Sequence, residues 1–347
     1  MGSEVSARHA DQREAVVRGR KDGAAAVRRW FALADDALTT HRDRLNRLNV
    51  YPVPDADTGS NMLATVQATR SALARTDQED LGRLLAAAGA HAMASAHGNS
   101  GTLLAVLIKG FAEPLDGEHR LTVDSFSRGL EQASQRGWAA LTHPVSGTML
   151  SVLDAARDEA SRCAAAAANQ DSGAAVAAAL PLVVAAARKA VAQTEHQLPE
   201  LTRAHVVDSG GLGLLLLLAA LSATVRDEEL DHALTQGLAG WDSGPQGEHL
   251  VDTETDGTTP GQSGEASPPG VELMCTARLD PLQAAQLRQR LNELGESVIL
   301  TPIDPVTAPE GDLRWRIHVH TPDPDLTLEA VRQAGPVEDS STTALNP

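Results

Sequence analysis

Between about residues 24 and 225, apolar side chains recur every three or four positions, in runs broken by short Gly, Pro, Asp or Asn interruptions. That period is the one a helix needs to bury one face, so the stretch reads as successive amphipathic helices forming an all-α domain over 24–226. The run 212–225 is apolar on every side, but at roughly 14 residues it falls short of the ~20 needed to cross a bilayer. It also contains Gly213 and Ser222, so it is expected to be a buried core helix, with no membrane span. Pro52 and Pro54 fix φ and keep the residues before them out of helix, so 50–54 should run extended and a helix should open near Gly59. From 241 to 270 the periodicity stops and Gly, Ser, Thr, Pro, Asp and Glu dominate, as in a flexible acidic linker. Beyond it, 271–277 reads as a strand, 281–294 as an amphipathic helix, and 314–320, with strict alternation, as a second strand. The pattern predicts a multi-domain chain: helices first, then a small α+β domain over 271–335, then a polar tail, 336–347, expected to be disordered.

Composition sharpens this picture. The chain has 347 residues, 42% hydrophobic but only 2% aromatic, so its cores must be built from Ala, Leu and Val, whose small size permits close helix packing. A net charge of −17 argues against nonspecific nucleic-acid binding, which needs clustered Lys and Arg. Any phosphate must therefore be reached through a metal ion and backbone N–H groups. Two cysteines are too few for a disulfide framework and no charged-then-apolar leader opens the chain, so a cytoplasmic location is expected.

Candidate chemistry concentrates at four glycine-rich helix entries. In the first, Asp55 and Asp57 stand two apart, an arrangement that in extended chain aims both carboxylates to one side, and such hard oxygen donors suit magnesium. Thr58, Gly59, Ser60 and Asn61 follow at a helix start whose free N–H groups favour phosphate. The plainer reading is that Asp57 caps that helix. In the second, Gly98, Asn99, Ser100 and Gly101 interrupt an Ala/Leu-rich pattern, with His97 before them, which fits either a phosphate loop or a turn between antiparallel helices. The third runs from His143 to Leu150 and contains Thr148 and Met149, the latter on a face suited to core packing. The fourth, 206–213, contains Asp208 and Gly210, with Asp208 also suited to an N-cap. In the α+β part, His318 and His320 share a strand face, and a Cys275 thiolate from a neighbouring strand could complete a three-ligand zinc site. The alternative is a buried structural cysteine beside two half-exposed histidines. Cys163, in an Ala-rich helix, reads as packing.

The four entries and their order resemble the nucleotide-binding L subunit of dihydroxyacetone (glycerone) kinases, in the variant found in bacterial fatty acid kinases. The resemblance covers about residues 27–335. It implies an antiparallel eight-helix barrel with ATP or ADP at one end and two magnesium ions held by Asp55 and Asp57, with Asn49 near a third ligand position of the family. It further implies that the 98–101 loop lies over the phosphates, with His97 where the family usually has arginine. Thr148 and Met149 would lie against the adenine, and Asp208 and Gly210 in a closing loop. Cys275, His318 and His320 resemble the zinc ligands of the fatty acid kinase middle domain. The activity implied is ATP-dependent phosphoryl transfer to a substrate presented by a partner protein, foremost a fatty acid carboxylate, giving an acyl phosphate. The alternatives are a catalytically silent nucleotide-binding regulator and a glycerone kinase L-type subunit. Homodimerisation through the middle domain is a further expectation. Fatty acid kinases of this type continue into a third domain that engages the fatty-acid-carrying protein, and this chain is expected to lack it.

Overall fold

The structure, a computed structural model, describes residues 23–242, 270–304 and 312–345. The expected linker lies outside the described residues except at its two ends. Among the described residues, nine α-helices form the first domain: α1 (Gly23–Arg47), α2 (Thr58–Leu73), α3 (Leu81–Ser95), α4 (Gly98–Ala112), α5 (Val123–Ala140), α6 (Met149–Ala166), α7 (Gly173–Thr194), the short α8 (Pro199–Ala204) and α9 (Ser209–Arg226). Apart from α8, each packs against the next, and α9 packs against both α7 and α1, closing an eight-helix barrel.

The barrel is tight because its side chains are small. At Gly59 an added Cβ would collide with the Arg42 carbonyl and the Leu45 side chain, so glycine allows α2 to start directly against α1. Four of the eight aromatics gather at one place, where Trp30, Phe31, Phe111 and Phe126 meet, and Trp30 Nε1 donates to the Leu217 carbonyl at 2.9 Å, tying α1 to α9. Helices α7 and α9 are long and apolar enough to cross a membrane by length and composition, but α9 is mostly buried within the barrel wall and serves as its core.

The second domain runs β1 (Val271–Leu279), α10 (Pro281–Leu294), β2 (Glu296–Pro302), β3 (Leu313–Thr321), α11 (Pro324–Ala334) and β4 (Val337–Ala344). The strands form an antiparallel sheet in the order β2-β3-β1-β4. Helix α10 begins where its chemistry dictates: Asp280 accepts from the N–H groups of Leu282 and Gln283, Gln283 returns a bond to the Asp280 N–H, and Pro281 occupies the first turn. Strand β4 corrects the expectation of a disordered tail. Its Ser and Thr side chains are exposed, which hid the strand from a hydrophobicity pattern, but its backbone pairs with β1, and Glu338 and Asp339 bind Arg278 and Arg316.

The sheet has two unlike faces. One presents Leu273, Cys275, Ala277, Ile317 and Val319 to α10 and α11. The other carries Glu272, Met274, Thr276, Arg316, His318 and His320 and is nevertheless buried, because it docks on the barrel. Ile299 and Ile303 pack among Ala92, Met93, Val106 and Ala140. Lys109 Nζ donates to the Pro302 and Ile303 carbonyls at 2.7 and 2.6 Å, and Arg288 reaches the Ala139 carbonyl at 2.9 Å.

Candidate nucleotide site

An antiparallel barrel places the N-termini of alternate helices at one end. Here α2, α4, α6 and α9 all start at the same end, and their first residues line a cleft of about 480 Å³. Four distant sequence motifs therefore converge for a topological reason, and four helix dipoles aim their positive ends at one space. Asn49, Asp55, Asp57, Thr58, Asn99, Ser100, Thr148, Met149, Asp208 and Gly210 all line it.

Several expected residues stand behind the wall instead. Gly59 packs on α1, and Ser60 is bound to Asn46 through both its N–H and its hydroxyl. Gly101 packs on Asn61 and Thr65 of α2, and Gly98 approaches the Asn61 side chain so closely that no Cβ would fit. These residues shape the helix entries without lining the cleft. The His97 side chain is exposed and does not line the cleft.

The two carboxylates reach the cleft by a route the sequence did not suggest. Ala56, between them, is left-handed at φ 55°, so the segment turns there instead of running extended. Such a conformation is uncommon for a residue with a Cβ and costs on the order of 1 kcal/mol. The side chain of Asn49 links the two sides of the turn, donating to Asp55 Oδ1 and to the Val53 carbonyl while its own oxygen accepts from Thr58 Oγ1. This makes Asn49 an orienting bridge. Burial, and next the neighbouring charge of Asp57, push the Asp55 carboxyl up to about 7, against the opposing pull of the Asn49 amide. Asp57 makes no side-chain cap to α2, so the capping role falls away.

Asp208 is the opposite case. It caps α9 through Gly211 N–H at 2.6 Å, and the Met149 N–H also donates to it, joining the starts of α6 and α9. Burial raises its carboxyl to about 6, with those two N–H groups resisting.

Among the described residues, the cleft wall contains Asp55, Asp57, Asp208 and Glu296 but no Lys or Arg. Polyphosphate therefore requires a cation here, and the donor set fits magnesium, which typically takes one or two carboxylates and completes its shell with water and phosphate oxygens. Again among the described residues, no group of three or more His, Cys, Asp or Glu side chains is arranged to hold a metal by itself.

That finding also bears on zinc, and the strand register explains it. Cys275 pairs with Ile317, whereas His318 pairs with Met274 and His320 with Glu272. Cys275 therefore points into the apolar layer beneath α10, where burial pushes its thiol up to about 12, while both histidines point to the barrel side. The expected three-ligand set is not brought together. His320 instead lines this cleft, along with Gly295, Glu296, Ser297 and Val298 at the start of β2. Sequence reasoning missed this second-domain wall. Within that wall Ser297 is left-handed at φ 56°.

Residues 52–223 match the DAK2 domain, and residues 271–346 match the FakA-like middle domain of fatty acid kinases. This is a DAK2-domain chain with a FakA-like middle domain. The second match includes the strand β4 that composition concealed. Protein YloV of Bacillus subtilis is 26% identical over 299 residues, covering 86% of this chain and 51% of that protein. SERP0792 of Staphylococcus epidermidis is 31% identical over 194 residues, covering 56% and 34% respectively. The chain thus spans between about a third and a half of the length of these curated relatives. Among solved structures, the dihydroxyacetone kinase of C. freundii in complex with AMP-PNP and Mg2+ aligns with 57% of this chain and 33% of that one, at 22% identity and a TM-score of 0.43.

Proposed function

We propose that this chain is an ATP-dependent kinase subunit that transfers the γ-phosphoryl group to a substrate presented by a partner protein, with a fatty acid carboxylate as the acceptor. The observation that carries the reading is the cleft itself: paired carboxylates and four helix N-termini, with no Lys or Arg among its described residues. Such a wall suits a metal-bound polyphosphate better than a free anion. The family likeness to the fatty acid kinase middle domain favours a carboxylate acceptor over dihydroxyacetone.

The chain's own residues supply position and electrostatics. Asp55 and Asp57 would hold two magnesium ions, with Asn49 and Thr58 fixing the orientation of Asp55. When bound, magnesium would neutralise charge on the phosphate oxygens. The N–H groups of Asn99 and Ser100, in the first turn of α4, would direct their dipoles to the phosphates. Thr148 and Met149 flank the space left for the base. A carboxylate acceptor is already ionised near neutral pH, so the site needs alignment and no strong base.

The test is ADP formation by the purified chain with Mg-ATP, comparing no acceptor, dihydroxyacetone, and fatty acid bound to a candidate carrier protein. Turnover dependent on the loaded carrier is expected. Turnover with dihydroxyacetone alone would move the assignment to a glycerone kinase subunit, and nucleotide binding without turnover would move it to a regulator.

A further inference from the structure

The segment that opens α4 is gripped from outside the barrel. Ala96 and Gly98 flank the exposed His97, and each gives one backbone group to the second domain. Glu272 Oε1 of β1 accepts from the Gly98 N–H at 2.8 Å. Arg316 Nη2 of β3 donates to the Ala96 carbonyl at 3.3 Å. Both side chains are almost wholly buried, at 6% and 4% exposure, although each bears a charge.

Burying charges is costly unless they are engaged, and here each is held on more than one side. His318 Nδ1 lies 3.1 Å from Glu272 Oε1. Burial acts to raise the Glu272 carboxyl, but the His318 contact and the Gly98 N–H outweigh it, leaving the group below the usual range. Arg316 Nη1 is anchored by Thr276 Oγ1 at 3.2 Å and Asp339 at 3.0 Å. Two charged side chains therefore converge on two backbone groups only two residues apart. The peptide they hold depends on glycine, since Gly98 is left-handed at φ +61° and an added Cβ there would collide with the Asn61 side chain.

We propose that Glu272 and Arg316 are positioning residues that fix the 96–101 backbone in its nucleotide-binding conformation, so that nucleotide affinity depends on the docking of the second domain. This rests on reading residues 98–101 as the phosphate loop. Glu272 satisfies the first N–H of α4, which leaves the N–H groups of Asn99 and Ser100 as the ones turned to the cleft. Without the two contacts the loop would be free to leave its left-handed entry, and those N–H groups would lose their common direction.

The test separates reach from charge. Glu272→Gln keeps the length and an oxygen acceptor, whereas Glu272→Asp keeps the charge but withdraws the carboxylate by one methylene. Arg316→Lys and Arg316→Ala form the matching pair. Calorimetric titration with magnesium and a non-hydrolysable ATP analogue should give near-native affinity for Glu272→Gln and an intermediate loss for Arg316→Lys, whose single ammonium cannot reach Ala96 and Asp339 together. Glu272→Asp and Arg316→Ala should bind about tenfold more weakly, the worth of one hydrogen bond to a charged group. Hydrogen exchange on the nucleotide-free protein should show faster exchange at 97–101 in those two variants, with the other barrel helices still protected. Equal affinity and equal exchange across all four variants would overturn the inference, as would equal weakening of Asp and Gln. If the native chain bound no nucleotide, the kinase reading would fail, while the exchange measurement would still decide whether the two side chains hold the loop.

Discussion

Asp57 and Asp208 each precede a helix, and on sequence alone either could be a cap. The structure separates them. Asp208 bonds the N–H groups of Gly211 and Met149, while Asp57 caps nothing and faces the cleft. On the proposed kinase reading, Asp57→Ala should therefore abolish Mg-ATP turnover while costing little stability, because its side-chain partner is the Asp55 carboxyl, which it disfavours in the charged form, and it caps no helix. ADP release and a thermal melt read the two effects side by side, and retained turnover would remove Asp57 from the site. Asp208→Ala should instead cost about 1–3 kcal/mol through the lost cap and the two N–H groups left unpaired. His320 supplies a third residue-scale prediction. Burial, followed by the nearby His318, lowers its imidazole to about 4, with Glu272 opposing. The unfolded chain takes up this proton near 6.5 and the folded chain only near 4. The associated stability is thus present above about pH 6.5 and lost as pH falls towards 4, by at most about 3 kcal/mol. Denaturant titrations at about pH 7.5, 6, 5 and 4 should show the native chain losing this margin relative to His320→Gln. A constant difference between the two proteins would contradict the assignment.

At the scale of elements, the helix entries are what the sequence disclosed and the strand faces are what it concealed. Proline, glycine and aspartate mark local backbone states, so the starts of α2, α4, α6 and α9 were readable from 52–59, 98–101, 144–149 and 208–211 without tertiary knowledge. Helix α10 was equally legible, because Asp280, Pro281 and Gln283 state its start chemically. Whether Cys275 meets His318 depends instead on the pairing of two strands far apart in the chain. Register is set by which face the apolar residues must bury, and one residue's slip would have reversed the answer. Strand β4 was invisible because an exposed edge strand needs no apolar alternation. Gly98 shows how local and non-local demands meet in one residue. Its positive φ was foreseeable at a helix entry, but its contact with Asn61 of α2 was not. Gly98→Ala should accordingly destabilise the protein by about 1–3 kcal/mol, more than the few tenths expected of glycine at an ordinary helix cap. A urea-unfolding midpoint unchanged from the native chain would show that the α2–α4 approach is looser than described.

For the whole molecule, the decisive relation is between two cores of unequal size and the thin layer joining them. The barrel core and the α10/α11 core are separate clusters, and a third, small one holds Ile299 and Ile303 among barrel alanines. Burial of about 25 cal/mol per Å² over so few small side chains gives modest docking strength, so polar contacts must carry much of the attachment. Lys109 is central to them. Burial lowers its ammonium to about 8, a sign that the seam around it is dry, and both of its hydrogen bonds end on backbone carbonyls of the second domain. Lys109→Met preserves length and apolar stem but leaves the Pro302 and Ile303 carbonyls without this donor, which should weaken docking by about 2–3 kcal/mol. If the two domains now melt as one unit because they are docked, calorimetry of this variant should resolve two transitions, with the barrel's own transition little changed. Because the second domain both walls the cleft and holds the 96–101 backbone, Mg-nucleotide affinity should fall in the same variant although Lys109 lies outside the cleft lining. A single transition with native nucleotide affinity would mean that the apolar layer alone secures the domains, and that the nucleotide end of the barrel stands independently of its neighbour.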